Sequence, residues 1–494
     1  MAEFSIDEVA AELGTLSMGA CSADRVVGVC TDSRKVRAGN LFVALVGKSF
    51  DGHDHIRDAV SAGAVGVVVS KDVSDCGRCA VFRVGDTEKA LGKLGRAHRR
   101  RWAARAVVRG FPGKVVAVTG SAGKTTTCRA IKSVLEAVDG VSVHVPVGNM
   151  NNAIGIPMVL LGLLPEHGYA VVEVGTNSPG EIEYGGSLVE PDVAVLTNVG
   201  CAHTAGLGTI DAVAEEKGAL YSAVRGGGVW VANSDDFRVM EQVKHLGGSR
   251  VITYGTGEDA SIRKISNGGK NWCWQYVLLS VPSDRLGYSV RARIPVLGKA
   301  GVYASAAALA TLMAVRRCDS AWEEKRCLAD MEWYRAERGF CEMEPEKGRL
   351  RANMLECGAW LIDDSYNANP PSMADSIAVA YDIAGRECRD LTLVLGEMRE
   401  LGEQSEAEHR KVGGLIGGDV VTKAVVVGQE ARHMAEGASA RGVQVAHVAN
   451  SEQAVGAVLS AVGKSDVILV KGSRGVHLER VVNALVDWGR IGKK

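Results

Sequence analysis

The run Val115–Thr127 constrains this chain more than any other segment. An apolar, β-branched stretch leads into a turn that contains two glycines, and a lysine and three threonines follow at once. Glycine lets the backbone curl so that N–H groups face phosphate oxygens, lysine adds charge for the outer phosphates, and a threonine hydroxyl suits magnesium. The run therefore predicts a strand, a phosphate loop and a helix. The residues predicted to bind a nucleoside triphosphate are Gly120, Ser121, Ala122, Gly123, Lys124, Thr125 and Thr126.

The loop departs from the usual Walker pattern at one position. Thr119 stands where that pattern has a glycine, four residues before Gly123. The alternative is a plain strand-to-helix turn whose lysine is incidental. The order of glycine turn, lysine and threonines favours the phosphate loop.

Length and charge limit the class of protein. With 494 residues, two to four domains are expected, and a net charge of −1 gives no overall field to recruit nucleic acid. Met1–Leu13 has four acidic residues and no apolar core, so we expect no export signal and a cytoplasmic protein with reduced thiols. The longest uncharged apolar stretch, Val302–Val315, is too short to span a bilayer and predicts a buried helix. Cys76 and Cys79 form a lone pair of cysteines, which is a weak zinc signal.

Alternating apolar runs and helical patterns predict an α/β fold in three domains. We place them at 1–86, 87–338 and 339–494: a small α/β domain, a central domain with a mostly parallel sheet around the phosphate loop, and a second Rossmann-like sheet. A stretch from Asn267 to Val296 predicts a small antiparallel excursion. The predicted strands are Leu41–Leu45, Val65–Val69, a strand around Phe82, Val115–Val118, Ala170–Val174, Val193–Leu196, Gly228–Ala232, Val251–Tyr254, Trp360–Asp363, Leu391–Leu395, Ala424–Val427 and Val467–Val470.

A polar helix is predicted over Thr87–Arg101, between the first two domains. It ends in the basic run His98–Arg101. This run is compatible with a phosphate patch, but a solvated helix end is the favoured interpretation.

Two polar side chains follow strands near the phosphate loop. Glu173 lies near the carboxyl end of an apolar strand, and His203 lies just past the strand Val193–Leu196. Ligands of open α/β sheets collect at these strand ends, so we expect Thr125, Glu173 and His203 to converge on one metal–triphosphate site. The alternatives are a structural salt bridge for Glu173 and an ordinary loop histidine. From its own segment, Lys217 reads as a solvated helix lysine.

Two further stretches are rich in amides and carboxylates. Gly148–Asn152 has three asparagines in four residues, and Asp363–Met373 ends a strand with polar groups before a turn. Each is compatible with a turn held by Asx caps. A turn needs fewer such groups, so we favour binding roles for both stretches.

These motifs together resemble the Mur ligases of peptidoglycan synthesis, along essentially the whole chain. Asp364–Pro370 and Gly396–Gly402 are typical of the members that join D-alanyl-D-alanine to UDP-N-acetylmuramoyl-tripeptide. The other segments that carry the resemblance are Thr31–Arg34, Phe50–His53, the phosphate loop, Gly148–Asn152, Glu173, Thr197–Gly200, His203, Lys217, Lys347–Arg349, His409 and Lys471–Arg474.

The resemblance implies an ATP-dependent ligase that works through an acyl phosphate, as a monomer. It implies two Mg²⁺ ions, held by Thr125, Glu173 and His203, and a carbamate formed on Lys217 by CO₂ to support the second ion. It implies catalytic roles for Lys124, Lys217, His203 and Glu173, and nucleotide contacts by Arg349 and Asp364. The implied substrate-binding residues are Ser33, Asp51, His53, Asn149, Asn151, Asn152, Asn367, Asn369 and Ser372.

One departure from the family pattern concerns the adenine end of ATP. Relatives have three polar side chains where this chain has Ala300, Gly301 and Ala304. The retained phosphate and metal groups predict turnover, whereas adenine recognition and nucleotide selectivity are open. The alternatives are a nucleotide-binding homologue with reduced or lost activity, and another Mur or folylpolyglutamate-type ligase.

Overall fold

The computed structural model describes residues 2–15, 17–18, 23–73, 76–201, 204–244, 250–271, 273–282, 288–318, 329–418 and 420–491. Its strands form three main sheets, each covered by helices, and a separate two-stranded pair. The predicted three-domain α/β fold is confirmed. The exact domain limits stay a prediction, and one helix, 330–342, runs across the second limit.

The first sheet has five strands and a mixed arrangement. Its domain contains β1 (Glu3–Ser5), α1 (Ile6–Leu13), β2 (Ser17–Met18), β3 (Arg25–Val27), β4 (Val29–Cys30), β5 (Leu41–Val43), α2 (Ile56–Ser61), β6 (Gly66–Val69) and β7 (Ala80–Arg83). The helix α3 (Thr87–Val108) follows, just past the predicted limit at residue 86. The strand order is β2-β7-β6-β5-β4, while β1 pairs with β3 outside it. Ser5 and Glu8 form a capping box that starts α1, each side chain binding the other's backbone N–H.

The central sheet has nine strands. Its elements are β8 (Lys114–Thr119), α4 (Lys124–Asp139), β9 (Ser142–His144), α5 (Gly155–Leu161), β10 (His167–Glu173), α6 (Glu181–Val189), β11 (Val193–Leu196), α7 (Thr204–Leu207), α8 (Ile210–Ser222), β12 (Val229–Asn233), α9 (Phe237–Lys244), β13 (Val251–Gly255), β14 (Ile262–Asn271), β15 (Trp274–Ser280), β16 (Ser289–Ile294), α10 (Gly298–Arg317) and α11 (Asp330–Glu342). The order is β16-β15-β14-β13-β12-β11-β8-β10-β9. All neighbours from β9 to β14 are parallel, and β14, β15 and β16 pair antiparallel, as the sequence predicts.

Strand β8 lies inside this sheet, with helices on both faces. Val115–Val118 are fully buried. A parallel strand covered on both faces reads as a continuous apolar run, which is why the sequence reveals it so clearly.

Helix α10 is the predicted apolar helix, extended at both ends. Among the described helices, it alone has the length and composition to cross a membrane. However, 78% of its most apolar window is buried inside the protein, where it packs against α4, β12 and β13. In this fold it is a core helix.

The third sheet has six strands. Its elements are β17 (Arg351–Met354), β18 (Trp360–Asp364), α12 (Pro370–Glu387), β19 (Leu391–Gly396), α13 (Ser405–Gly413), β20 (Val421–Val427), α14 (Arg432–Ser439), β21 (Gln444–Val448), α15 (Ser451–Ala461), β22 (Val467–Lys471) and α16 (Glu479–Ile491). The order is β17-β18-β22-β19-β20-β21, and only β17 runs antiparallel to its neighbour. The predicted Rossmann-like sheet is confirmed, and its carboxyl edge faces the central sheet's phosphate loop.

The basic run in α3 does not end the helix, and the prediction that it is solvated is wrong for His98 and Arg99. The helix continues to Val108, and Arg99 is 1% exposed. Its guanidinium donates to the carbonyl oxygens of Val189 (2.9 Å) and Glu190 (2.6 Å), which end α6. His98 Nε2 also donates to a backbone oxygen, that of Leu163 at 3.0 Å, and burial lowers the pKa of this imidazole. These two side chains join α3 to the central domain.

We expect Arg99→Ala to lower the free energy of unfolding by about 3 kcal/mol, because it leaves buried carbonyl oxygens unpaired and opens a cavity. The neighbouring Arg100→Ala is the control. Arg100 is exposed and pairs with Glu190, so its loss should cost about 1 kcal/mol or less. Denaturant unfolding of both variants measures the difference, and equal shifts would contradict the structural role of Arg99.

Candidate active site

The phosphate loop connects β8 to α4 and rests on the loop that follows β11. Ser121 N donates to Asn198 O at 2.9 Å, and Ala122 N donates to the Asn198 side-chain oxygen at 2.9 Å. Gly120 has φ +147°, and a Cβ there would lie 1.9 Å from Thr197 Oγ1, so this position requires glycine. Helix α4 begins at Lys124, and its N-cap residue, Gly123, provides no side-chain cap. Its first N–H groups and its positive dipole end are therefore available to an anion.

Glu173 lies at the carboxyl end of β10 beside this loop, as predicted. It is 4% exposed, and its Oε2 accepts from Thr125 Oγ1 at 2.7 Å. Its Oε1 accepts from Asn151 Nδ2 at 2.9 Å, and the same amide group donates to Asn149 Oδ1 at 2.9 Å. The salt-bridge alternative for Glu173 has no support among the described residues. The carboxylate instead joins the phosphate loop to the asparagine-rich turn.

Lys217 is buried inside the protein on α8. Its side chain is 1% exposed, and Nζ has no hydrogen-bond partner in the described chain. Burial lowers the pKa of Lys217 to about 7, and repulsion from Lys124 adds to this shift. The solvated helix lysine expected from its own segment is wrong. Helix propensity carries no information on which face of α8 a neighbouring element covers.

The third domain reaches the phosphate loop at two points. Asn369 caps α12 by accepting from Ser372 N at 3.0 Å, and its Nδ2 donates to Ser121 O at 3.1 Å. Arg349 donates to Thr125 Oγ1 at 3.2 Å, and its guanidinium lies 4.1 Å from the centre of the Tyr366 ring. The two domains are therefore in contact across the site.

Asp364 is held within the third domain. Its Oδ1 accepts from Leu350 N at 3.0 Å, and its Oδ2 accepts from Ser376 Oγ at 2.6 Å and from the Lys471 ammonium. Lys471 also donates to the backbone oxygen of Asn367 at 3.0 Å. Asp364 thus fixes the strand end and α12. Its contact to a ribose, which the resemblance implies, stays a prediction.

A cavity of about 960 Å³ lies between the central and third domains. Residues predicted for the site that line it are Ser121–Thr126, Asn149, Asn151, Asn152, Glu173, Arg349, Asp364, Asn367, Asn369 and Ser372. Gly120 and Lys217 lie outside its lining, and His203 lies outside the described residues. No cluster of three or more histidine, cysteine, aspartate or glutamate side chains suited to a metal occurs in the described part of the chain, Cys76 and Cys79 included.

Ser33, Asp51 and His53 belong to the first domain, where Asp51 and His53 contact each other directly. Asp51 accepts from His53 N at 3.0 Å, from His53 Nδ1 at 2.6 Å and from the Lys71 ammonium. Lys71, more than the histidine, holds the pKa of Asp51 well below its usual range. His53 Nε2 accepts from Ser70 N at 2.9 Å, so its proton is on Nδ1. The binding role of Ser33, Asp51 and His53, which the resemblance implies, stays a prediction.

The cavity end beyond the phosphate loop carries several residues that sequence reasoning missed. Tyr303 on α10 donates to Asp235 Oδ2 at 2.7 Å, and both line the cavity. The sequence does not indicate this pair, because 68 positions separate Tyr303 from Asp235. A Cβ at Gly301 would lie 2.2 Å from Val296 O, so this chain has no room there for a polar side chain.

The chain belongs to the Mur ligase family. The Mur ligase middle-domain model matches residues 118–312, the glutamate ligase domain model matches 348–474, and the model described as the Mur ligase family catalytic domain matches 25–99. The resemblance inferred from the motifs is thereby confirmed.

One of the relatives that this chain resembles is the UDP-N-acetylmuramoyl-tripeptide–D-alanyl-D-alanine ligase of Escherichia coli. Identity is 32% over 463 residues, covering 93% of this chain and 94% of that enzyme. Its fold matches a crystal structure of MurF from Acinetobacter baumannii with a TM-score of 0.83, 27% identity and 99% coverage of both chains. It also matches MurF from Thermotoga maritima in complex with ADP, with a TM-score of 0.76, 25% identity, and coverage of 94% and 98%.

Proposed function

We propose that this protein is an ATP-dependent amide ligase that joins D-alanyl-D-alanine to UDP-N-acetylmuramoyl-tripeptide in peptidoglycan synthesis. The observation that carries the proposal is the shared cavity. The phosphate loop and Glu173 form one wall, and Asn369 and Arg349 reach over from the other. An enzyme that must activate one substrate with ATP and then join it to a second needs such a two-sided cleft. The named relatives support the same reaction.

In the first step, a carboxylate oxygen of the tripeptide bonds to the γ-phosphorus of ATP, and ADP leaves. Carboxylate and phosphate repel each other, so the barrier falls when their charges are balanced and the reacting atoms are aligned. The N–H groups at the start of α4 would hold the phosphates, and Lys124 and Arg349 would balance their charge. In the second step, the amine of D-alanyl-D-alanine bonds to the acyl carbon, the bond from that carbon to the phosphate oxygen breaks, phosphate leaves, and one proton passes from the amine to solvent.

The side-chain oxygen atoms of Thr125 and Glu173 are suitable ligands for a magnesium ion. They are a hydroxyl and a carboxylate that share a hydrogen bond of 2.7 Å beside the phosphate loop, and such oxygen ligands suit Mg²⁺. A bound Mg²⁺ would neutralise charge on the phosphate oxygens. Glu173 would remain oriented by Asn151. His203, which the resemblance assigns to a second Mg²⁺, lies outside the described residues.

Lys217 fits the carbamate that the resemblance implies. Carbon dioxide bonds to an unprotonated amine, and a pKa of about 7 leaves much of Lys217 unprotonated at neutral pH. The product is an N-carboxylate, with one proton released to solvent. The carbamate oxygens would place a negatively charged group, able to support a cation, on a buried nitrogen that has no hydrogen-bond partner among the described residues.

The substrates would occupy three domains. We propose that 1–86 binds the uridine nucleotide through Ser33, Asp51 and His53, that 87–338 binds ATP, and that 339–494 binds the dipeptide. Asn149 and Asn152 would contact the tripeptide. The dipeptide pocket would use Asn367, Asn369 and Ser372. We further propose a cytoplasmic monomer that neither inserts into a membrane nor binds nucleic acid.

Phosphate release tests the reaction. We expect release that requires ATP, Mg²⁺, UDP-N-acetylmuramoyl-tripeptide and D-alanyl-D-alanine together, with the pentapeptide product seen by mass spectrometry. Glu173→Gln should reduce the rate at least about a hundredfold, because it removes the charge that suits the cation. Glu166→Gln, exposed before the other end of the same strand, should leave the rate unchanged. Release that ignores the dipeptide would refute the acceptor assignment, and nucleotide binding without product would favour an inactive homologue.

A further inference from the structure

Helix α12 presents one line of side chains to the central domain. Pro371, Asp375 and Val379 are four residues apart and therefore share a face. A Cβ on Gly200 would lie 3.2 Å from Pro371, and a Cβ on Gly298 would lie 2.5 Å from Val379. Both ends of the line thus pack against the central domain. Asp375 lies between these two contacts and lines the cavity.

The Asp375 carboxylate has no partner in the part of the chain that the structure describes. It forms no hydrogen bond there and no ion pair within 4.0 Å, although it is partly buried. Burial raises the pKa of Asp375, and the charges that oppose this shift belong to Lys299 and Lys471. A partly desolvated carboxylate without a hydrogen bond is costly, and a ligand that donates one would relieve the cost.

The other carboxylates at this end of the cavity are already engaged. Asp235 accepts from Thr256 N at 2.9 Å and from Tyr303 Oη at 2.7 Å. Asp236 accepts from Val199 N at 2.8 Å and from Arg238 N at 3.0 Å.

Three other residues at this end, Asn233, Ala300 and Ala304, do not provide a free side-chain acceptor. The Asn233 amide donates to Thr197 O and its oxygen accepts from Asp235 N. Ala300 and Ala304, on α10 across the cavity, offer no acceptor. Of the acidic side chains that the structure describes at this end, Asp375 is therefore the one whose carboxylate carries no hydrogen bond.

This end of the cavity lies where the nucleoside of a bound triphosphate would be. Asn233 ends β12, which is two strands from β8 and the phosphate loop. Neighbouring strands are about 4.8 Å apart, so the two strand ends are about 10 Å apart. A carboxylate there repels phosphate but accepts from the hydroxyl and amino groups of a nucleoside.

We propose that Asp375 is a specificity-determining residue that accepts a hydrogen bond from the nucleoside of the triphosphate, from a ribose hydroxyl or from the exocyclic amine of the base. The assignment rests on the proposed function only in taking ATP as the ligand. It gives the third domain a direct part in choosing the nucleotide.

Nucleotide binding and KM, measured on the full chain, test this assignment. The probes are ATP, 2′-deoxy-ATP, 3′-deoxy-ATP and ITP, which has an oxygen in place of the amine. We expect Asp375→Ala to weaken ATP binding tenfold to about a hundredfold, with kcat nearly unchanged, because one charged hydrogen bond is lost. The wild type should discriminate against one analogue by a similar factor. That analogue identifies the donor group, and the variant should bind it and ATP equally.

Matched variants make the result specific. Asp375→Asn keeps an acceptor and should retain part of the discrimination. Asp382→Ala, later on the same helix and beside Arg386, should change nothing. Unchanged or tighter ATP binding by Asp375→Ala, or discrimination that survives in it, would overturn the assignment, as would a wild type that does not bind ATP. A wild type that binds ATP yet forms no pentapeptide would refute the proposed function alone.

Discussion

Lys217→Met should make the protein more stable and inactive. The wild-type lysine has a pKa of about 7 when folded, well below the ordinary lysine value of 10.5, so folding disfavours its charged form. The unfolded chain binds more protons between pH 7 and 10.5, and wild-type stability therefore rises with pH across that window. Below about pH 7 the full penalty applies, and for a pKa lowered to about 7 it amounts to at most about 5 kcal/mol. Methionine has no charge to bury and should remove both the penalty and the part of the pH dependence that Lys217 causes.

Denaturant unfolding between pH 6 and 10, in buffer depleted of carbon dioxide, measures this effect. Lys244→Met is the control, because that exposed lysine should change stability by about 0.5 kcal/mol or less. If the Lys217→Met curve parallels the wild type across the window, the nitrogen is not buried as the structure has it.

The same residue should be essential for ligation. Lys217→Ala should lose most phosphate release, because no carbamate can form. Excess short-chain carboxylate, which can enter the space that the side chain leaves, should restore part of it. Unchanged activity would remove Lys217 from the reaction.

Gly120→Ala should abolish nucleotide binding. The new Cβ would overlap Thr197 Oγ1 at 1.9 Å, and that hydroxyl is itself held by Ala122 O at 2.7 Å. The loop must move, and its N–H groups then no longer converge on a phosphate. We expect ATP affinity to fall at least about a hundredfold, equivalent to ~3 kcal/mol.

Gly140→Ala, at the other end of the same helix, separates this effect from backbone strain. Gly140 also has a positive φ, +67°, but no atom lies within 4 Å of its added Cβ. It should lose about 1 kcal/mol of stability and keep its ATP affinity. Calorimetric titration of both variants measures the contrast, and equal loss of affinity would contradict the overlap at Gly120.

The parts of the fold that sequence predicts well are those with a local signal. Val115–Val118 is a buried parallel strand and is therefore a continuous apolar run. Gly120–Thr125 can bind phosphate only with glycines in its turn and with lysine and threonine after them, so its composition is distinctive. The predicted central strands are all present, with ends that match or shift by up to three residues because hydrogen bonding, not composition, sets them.

The parts that sequence misses depend on contacts between distant segments. Arg99 looks like a surface residue until α6 ends against it, and Lys217 looks solvated until its side chain is buried. The Tyr303–Asp235 pair and the open carboxylate of Asp375 are visible only when α10 and α12 are in place. The sequence pattern of one segment does not show which of its residues a second segment buries.

The bonds from Asn369 to Ser121 and from Arg349 to Thr125 have a thermodynamic consequence. These two bonds exist only while the third domain touches the phosphate loop. A ligand that favours this contact therefore raises the affinity of any other ligand that also favours it. Coupling of this kind is reciprocal: if nucleotide strengthens dipeptide binding by some factor, dipeptide strengthens nucleotide binding by the same factor. The substrates can therefore bind in different orders, but the total binding free energy is the same for each order.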